Sequence, residues 1–288
     1  MGRGFYVLDD ITPLRTPSPG GLAGHRLIPP ATATRMWYQA TAAGSSPEYP
    51  PASAVIDYVV APGTTEPVVL EILDRKGTVL RSFTSVAPAG PQAAPVQGMR
   101  GPPGAMPAAA RLSSDAGMHR FRWDLRLPGP QDASGRPAGR GPVLAPDTYQ
   151  VRLTLGGWSS TQPLKVRADP RVTAEGITDA MLAEQMALAL RIRDAITEAR
   201  KTAGRVRELK ASTTGPGATI LAEAEAEFFT AQGAYPTPML LDQLSYLYSM
   251  LEGADQRPGR DAYTRLDELT RWHAALVAKL RSVPGWEQ

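Results

Sequence analysis

The 288-residue chain contains no cysteine, which removes disulfide frameworks, thiolate zinc sites and cysteine nucleophiles together. Histidine is nearly as scarce: His25, His119 and His273 lie far apart in sequence, and no two have metal-ligand spacing. No apolar run reaches the ~20 residues needed to span a bilayer. No charged-then-apolar signal segment stands at the first residues. Basic and acidic residues nearly balance, 31 against 28, for a net charge of +3. The arginines are scattered through an Ala-, Gly- and Pro-rich chain, with no basic stripe interleaved with aromatics, so nucleic acid is not an expected partner. A phosphate-cradling loop is missing as well. "GMRGPPG" (98–104) has the glycines but neither a strand before it nor a helix after it.

Paired acids are also hard to find. Glycoside hydrolysis needs two carboxyl groups about 5–9.5 Å apart across a cleft. Asp9 and Asp10 are adjacent at a strand end, and Asp57, Asp74 and Asp124 sit at strand or turn positions. No serine or aspartate stands in a triad context. "SSDAGMH" (113–119) begins like the Asp-box turn of sialidases but lacks its Thr-Trp ending. The expectation is therefore no catalytic residue, no metal ligand and no cofactor.

What is present divides near residue 170. Before it, short alternating or Val/Ile/aromatic runs are punctuated by Pro and Gly. They read as strands: 55–60, 67–74, 78–83 after the turn "DRKG", 119–126, 148–155 and 158–167. Phe121, Trp123 and Leu125 share one face of their run, as do Tyr149, Val151, Leu153 and Leu155 of theirs. Gly156-Gly157 supplies a two-residue hairpin loop. Polar outer faces at period two mean strands covered on one side. Residues 86–114 and 128–146 read as long inter-strand loops. After "ADPRV" the spacing becomes helical. Thr178 is a fitting N-cap for a rod carrying Leu182, Met186, Ala189, Ile192, Ile196, Ala199, Ala203, Val206 and Leu209. Shorter helices follow over 218–231, 238–252 and 261–282, joined by breaker loops that favour antiparallel packing. The expected fold class is thus α+β multidomain: an antiparallel Ig-like β-sandwich over 25–170, then an antiparallel α-helical bundle over 175–288.

The opening stretch raises a separate question. "GRGFYVLDD" reads as a finished strand with no partner ahead of it, and a strand cannot satisfy its own backbone groups. In order along the chain, "GRGFYVLDDITPLR", "VIDYVV", "VVLEILDRKGTVLRSF", "AGMHRFRWDLRLP", "LAPDTYQVRLTLGG" and "TQPLKVRADPRV" resemble the C-terminal region of bacterial BNR-repeat or sortilin-like β-propeller proteins, which often carry the name glycosyl hydrolase. The likeness covers most of residues 1–175. It implies that residues 1–24 are a remnant of the last propeller-blade strand and a linker, and that the chain is a C-terminal piece of an exported protein. A β-propeller would then be its partner and the periplasm or extracellular space its location. The β region also resembles the Ig-like domain of flagellar hook-capping proteins. Two departures stand out: Leu125 follows Trp123-Asp124 where that domain usually has Gly, and Asp147 stands where Gly is usual before the Tyr. Asp tolerates the left-handed conformation that such a turn requires.

The expected function is a non-catalytic accessory or interaction module. Two alternatives stay open: a carbohydrate-binding or hydrolase-associated domain, and a free-standing adaptor that dimerises through its helices. Trp123 reads as core. The candidate interaction surface is Phe228, Phe229 and Tyr235 in "FFTAQGAYPTPMLL", with Trp37 and Tyr38 (and Tyr49 beyond them) as exposed aromatics.

Overall fold

The computed structural model describes residues 11, 24–37, 52–86 and 111–286. The opening run 4–10, expected as a strand, and Tyr38 and Tyr49 lie outside the described residues. In chain order the strands are β1 (Arg26–Leu27), β2 (Ala33–Arg35), β3 (Ala54–Val60), β4 (Val68–Leu73), β5 (Val79–Thr84), β6 (Gly117–Trp123), β7 (Arg126–Pro128), β8 (Arg140–Val143), β9 (Asp147–Leu155) and β10 (Trp158–Ala168). The helices are α1 (Pro170–Ala174), α2 (Asp179–Lys210), α3 (Pro216–Phe228), α4 (Leu240–Leu251) and α5 (Arg260–Leu280).

The expected Ig-like sandwich followed by an antiparallel helical bundle is not what forms. The described residues make three sheets, ordered β1-β3-β6, β2-β10-β9-β4-β5 and β7-β8. They divide into two compact units that interleave in sequence. Of the described residues, one unit holds 11, 24–34, 52–86, 111–125 and 147–167; the other holds 35–37, 126–146 and 168–286. The stretch 128–146, expected as a sandwich loop, carries strand β8 and belongs with the helices, which therefore do not form an all-helical bundle.

Local rules explain the first unit. The hairpin β9–β10 pairs Leu155 with Trp158 across Gly156-Gly157, and Gly156 adopts φ +52°. Tyr149, Val151, Leu153 and Leu155 are all buried, as their period of two requires. Between β4 and β5 the Asp74 carboxylate accepts from the Lys76 and Thr78 amides at 2.8 Å, and Gly77 takes φ +83°. Phe83 of β5 meets Phe121 of β6 at 4.8 Å between ring centroids, joining the two larger sheets. Trp123 is buried beside Phe83, a core position rather than a platform.

Leu125 is the one described non-glycine residue at positive φ, +59°, and it is buried. A left-handed L-residue is strained by about 1–2 kcal/mol, and burying a leucine returns about 1.5–3 kcal/mol. The side chain outweighs the strain, which is how Leu persists where glycine would be the easy choice. Leu125→Gly should therefore be less destabilising than Leu125→Ala by about 1 kcal/mol in urea unfolding, the reverse of the usual order, because Gly alone relieves the strain. Equal or inverted costs would remove this reading. Asp147 needs no left-handed turn. It is the first residue of β9, is not at positive φ, and pairs with Arg75.

In the second unit the Thr178 hydroxyl caps α2 by accepting from the Met181 amide at 3.3 Å. One face of α2, from Leu188 to Val206, packs with Leu221, Ala224 and Phe228 of α3, Leu240, Leu244 and Leu251 of α4, and Leu266, Leu269, Leu276 and Leu280 of α5. The β7–β8 hairpin is fastened to α2 where the Gln131 amide donates to the Thr197 hydroxyl at 3.0 Å and Arg200 donates to the Ala138 carbonyl at 2.9 Å. No described helix is long and apolar enough to cross a membrane.

Candidate functional site

The polar centre of the second unit is built around a helix end that carries the wrong charge. Helix α4 stops at Leu251, and its C-cap is Glu252, followed closely by Asp255. A helix C-terminus is partially negative and favours cations, so two acids there require compensation. The side chain of Gln185, projecting from α2, donates to the Leu251 carbonyl at 2.7 Å and the Ala254 carbonyl at 2.6 Å. One carbonyl left over at the helix end and one in the loop beyond it are thereby satisfied.

The cations come from outside the helices. Arg35, 1% exposed, donates through Nε and Nη2 to Asp255 Oδ1 at 2.9 and 2.7 Å. Its Nη2 also donates to Gln185 Oε1 at 2.7 Å, and Nη1 to the carbonyls of Leu144 at 3.0 Å and Val143 at 3.4 Å. Trp37 Nε1 adds a third donor to Asp255 Oδ1 at 2.8 Å. Asp255 Oδ2 is buried with no partner. A second pair lies alongside: Arg126 Nη1 donates to Glu252 Oε2 at 3.0 Å and to the Gly141 carbonyl at 2.7 Å. The Arg126 guanidinium stands 5.1 Å from the Trp37 ring centre, a cation–π geometry.

Burial pushes the Glu252 carboxyl above the usual glutamate range, although Arg126 and Arg35 pull against it. Burial, with Glu252 nearby, also raises the Tyr248 phenol, whose hydroxyl donates to the Arg140 carbonyl at 3.1 Å. One guanidinium thus ties together the end of β8, helix α2 and the loop after α4. These groups are buried and engaged with one another and with neighbouring carbonyls, and the cluster holds the three segments together.

Other candidate chemistry resolves into structure. Ser113 Oγ lies 3.1 Å from Asp115 Oδ2, yet the His119 ring meets the Asp115 backbone carbonyl, at 2.7 Å through Nε2, and packs against the Tyr58 ring at 5.3 Å between centroids, so no serine–histidine–aspartate relay forms. Instead "SSDAG" makes a turn into β6, with Gly117 at φ +128°. Tyr58 both donates to the Ser113 carbonyl and accepts from its amide, and burial raises its phenol to about 12. His273 lies 2.9 Å from the Thr202 hydroxyl and edge-on to Phe228; burial lowers its pKa, so it packs as a neutral ring. Among the described residues no group of three or more His, Asp or Glu is placed to hold a metal ion.

The aromatics expected as one interaction surface are not brought together. Phe228 is fully buried among the helices, and Phe229 is half-buried under Arg207, whose guanidinium sits 3.7 Å from its ring centre. Trp37 is engaged with Asp255 and Arg126. Tyr235 alone of the four described is free in solvent, at 99% exposure. Beside it a groove of about 1450 Å³ is bounded by α4, the first two turns of α5 and the segment 236–238. Sequence reasoning missed Arg35, Gln185, Arg126, Glu252 and Asp255. The one readable signal was a pair of acids just past a leucine-striped helix, where the partly negative helix end favours cations instead.

No family model matches the chain, and no curated protein matches it. Among solved structures it is similar to a β-glucuronidase of Bifidobacterium dentium complexed with coumarin-3-O-glucuronide, at 18% identity and a TM-score of 0.21. That similarity covers 50% of this chain and spans only 18% of the enzyme. A likeness at that score carries no argument about fold or activity.

Proposed function

We propose that this chain is a non-catalytic accessory module that works through protein contact, in the setting of an exported β-propeller protein. The propeller as neighbour and the location outside the cytoplasm rest on the resemblance of residues 1–175. The observation that carries the non-catalytic reading is the closure of the charged centre: the side chains of Arg35 and Asp255 are each 1% exposed, and those of Arg126 and Glu252 each 8%. A general acid or base must reach its substrate within hydrogen-bond distance, and these groups are engaged with each other, with Gln185 and Trp37, and with backbone carbonyls.

The test is direct. The full chain, incubated with aryl glycosides and aryl sialosides, should release aglycone at the rate of the buffer blank. Turnover above the blank that persists through purification would overturn the reading.

A further inference from the structure

The groove on the helical unit has a composition that selects its occupant. On α4, Tyr246 and Met250 are 66% and 56% exposed and stand four residues apart, on one face of the helix. Leu247 lies half-buried beside them, and Pro236, Pro238 and Pro258 line the rest, with backbone φ fixed by their rings. A methionine in such a place adapts to varied apolar side chains. The volume, about 1450 Å³, exceeds the ~300–1,000 Å³ typical of small-molecule pockets. It suits a peptide.

Charge narrows the choice. The two groove arginines are already engaged, Arg257 with Glu184 at 3.3 Å and Arg265 with Glu268 at 2.6 Å. Asp242 and Asp261, in the first turns of α4 and α5, have no ion-pair partner among the described residues. The groove thus presents an apolar floor with two acids on its rim that no side-chain cation pairs among the described residues; the helix N-termini offset only part of their charge. Resting on the accessory-module reading, we propose that it docks a basic amphipathic helix of a partner protein. Leu- or Met-sized residues at i, i+3 and i+4 would meet Tyr246, Leu247 and Met250, and Lys or Arg on the helix flanks would meet Asp242 and Asp261.

Two fluorescein-labelled 18-residue peptides of identical leucine pattern, one with lysine and one with glutamate at the polar positions, test this by anisotropy against the full chain. The Leu/Lys peptide should bind, more weakly as salt rises, and the Leu/Glu peptide should not. Met250→Asp should weaken binding by about tenfold or more, and Asp242→Asn with Asp261→Asn should weaken it several-fold and flatten the salt dependence. Tyr246→Ser serves as the second apolar variant should Met250→Asp lose its helical circular-dichroism signal. Three results would overturn the proposal: equal binding of both peptides, affinity unchanged in the groove variants, or a concentration-dependent dimer in sedimentation that Met250→Asp abolishes, which would make the occupant a second copy. None of these touches the glycoside assay, so failure here is separable from failure of the accessory-module reading.

Discussion

Arg35→Met is expected to destabilise the helical unit by about 3–5 kcal/mol, the cost of leaving one member of a buried ion pair uncompensated. The side chain would keep its apolar length and lose every donor. Asp255 would retain only Trp37, and the carbonyls of Val143 and Leu144 would lose a common partner. Urea unfolding followed at 222 nm, where the helices dominate, measures the loss as a lower midpoint at unchanged slope. A cost below about 1 kcal/mol, the range of an exposed pair, would mean that water reaches the cluster.

The second large effect is expected at Gly141. A Cβ there would lie 1.8 Å from the Leu127 carbonyl oxygen and 2.6 Å from the Leu127 carbonyl carbon. These are backbone atoms of the paired strand, so no side-chain rotation relieves the clash. Gly141→Ala should force β7 and β8 apart and cost about 3 kcal/mol, the upper part of the range for overpacking. It should also disturb Arg126, which donates to the Gly141 carbonyl. By contrast, Gly135→Ala in the same hairpin meets nothing within 4 Å, although its φ of +80° leaves backbone strain of about 1 kcal/mol. The ordering of the two variants in the same unfolding experiment separates close approach from turn strain.

Local periodicity made much of the architecture legible. The β9–β10 hairpin follows from alternation plus Gly-Gly, and α2 follows from its Thr178 cap and its i, i+3, i+4 stripe. The grouping of those elements was not legible. "RGPV" carries a proline and lies in a Gly-rich stretch, which reads as loop. It is a strand because Gly141 lets the backbone of 126–128 approach, a tertiary fact with no periodic trace. That misreading is what turned the helical half into an all-helical bundle in the expectation.

The charged centre was hidden for a related reason. Arg35 sits in "ATATR" and Asp255 in "GADQRPGR", 220 positions apart, and each reads alone as ordinary surface. Their burial follows from which segments meet. The described aromatic candidates differ in burial because hydrophobicity alone does not distinguish a core Phe228 from a solvent-facing Tyr235.

The claim that these buried charges are architectural is tested most directly by a double-mutant cycle on Arg35 and Asp255, measured by urea unfolding of the full chain. The account predicts that Arg35→Met and Asp255→Leu are each severely destabilising and that the double variant recovers much of the loss, with a coupling of about 2–3 kcal/mol. Near-neutral single variants with no coupling would contradict it, and would reopen the cluster as a site held for something other than the fold.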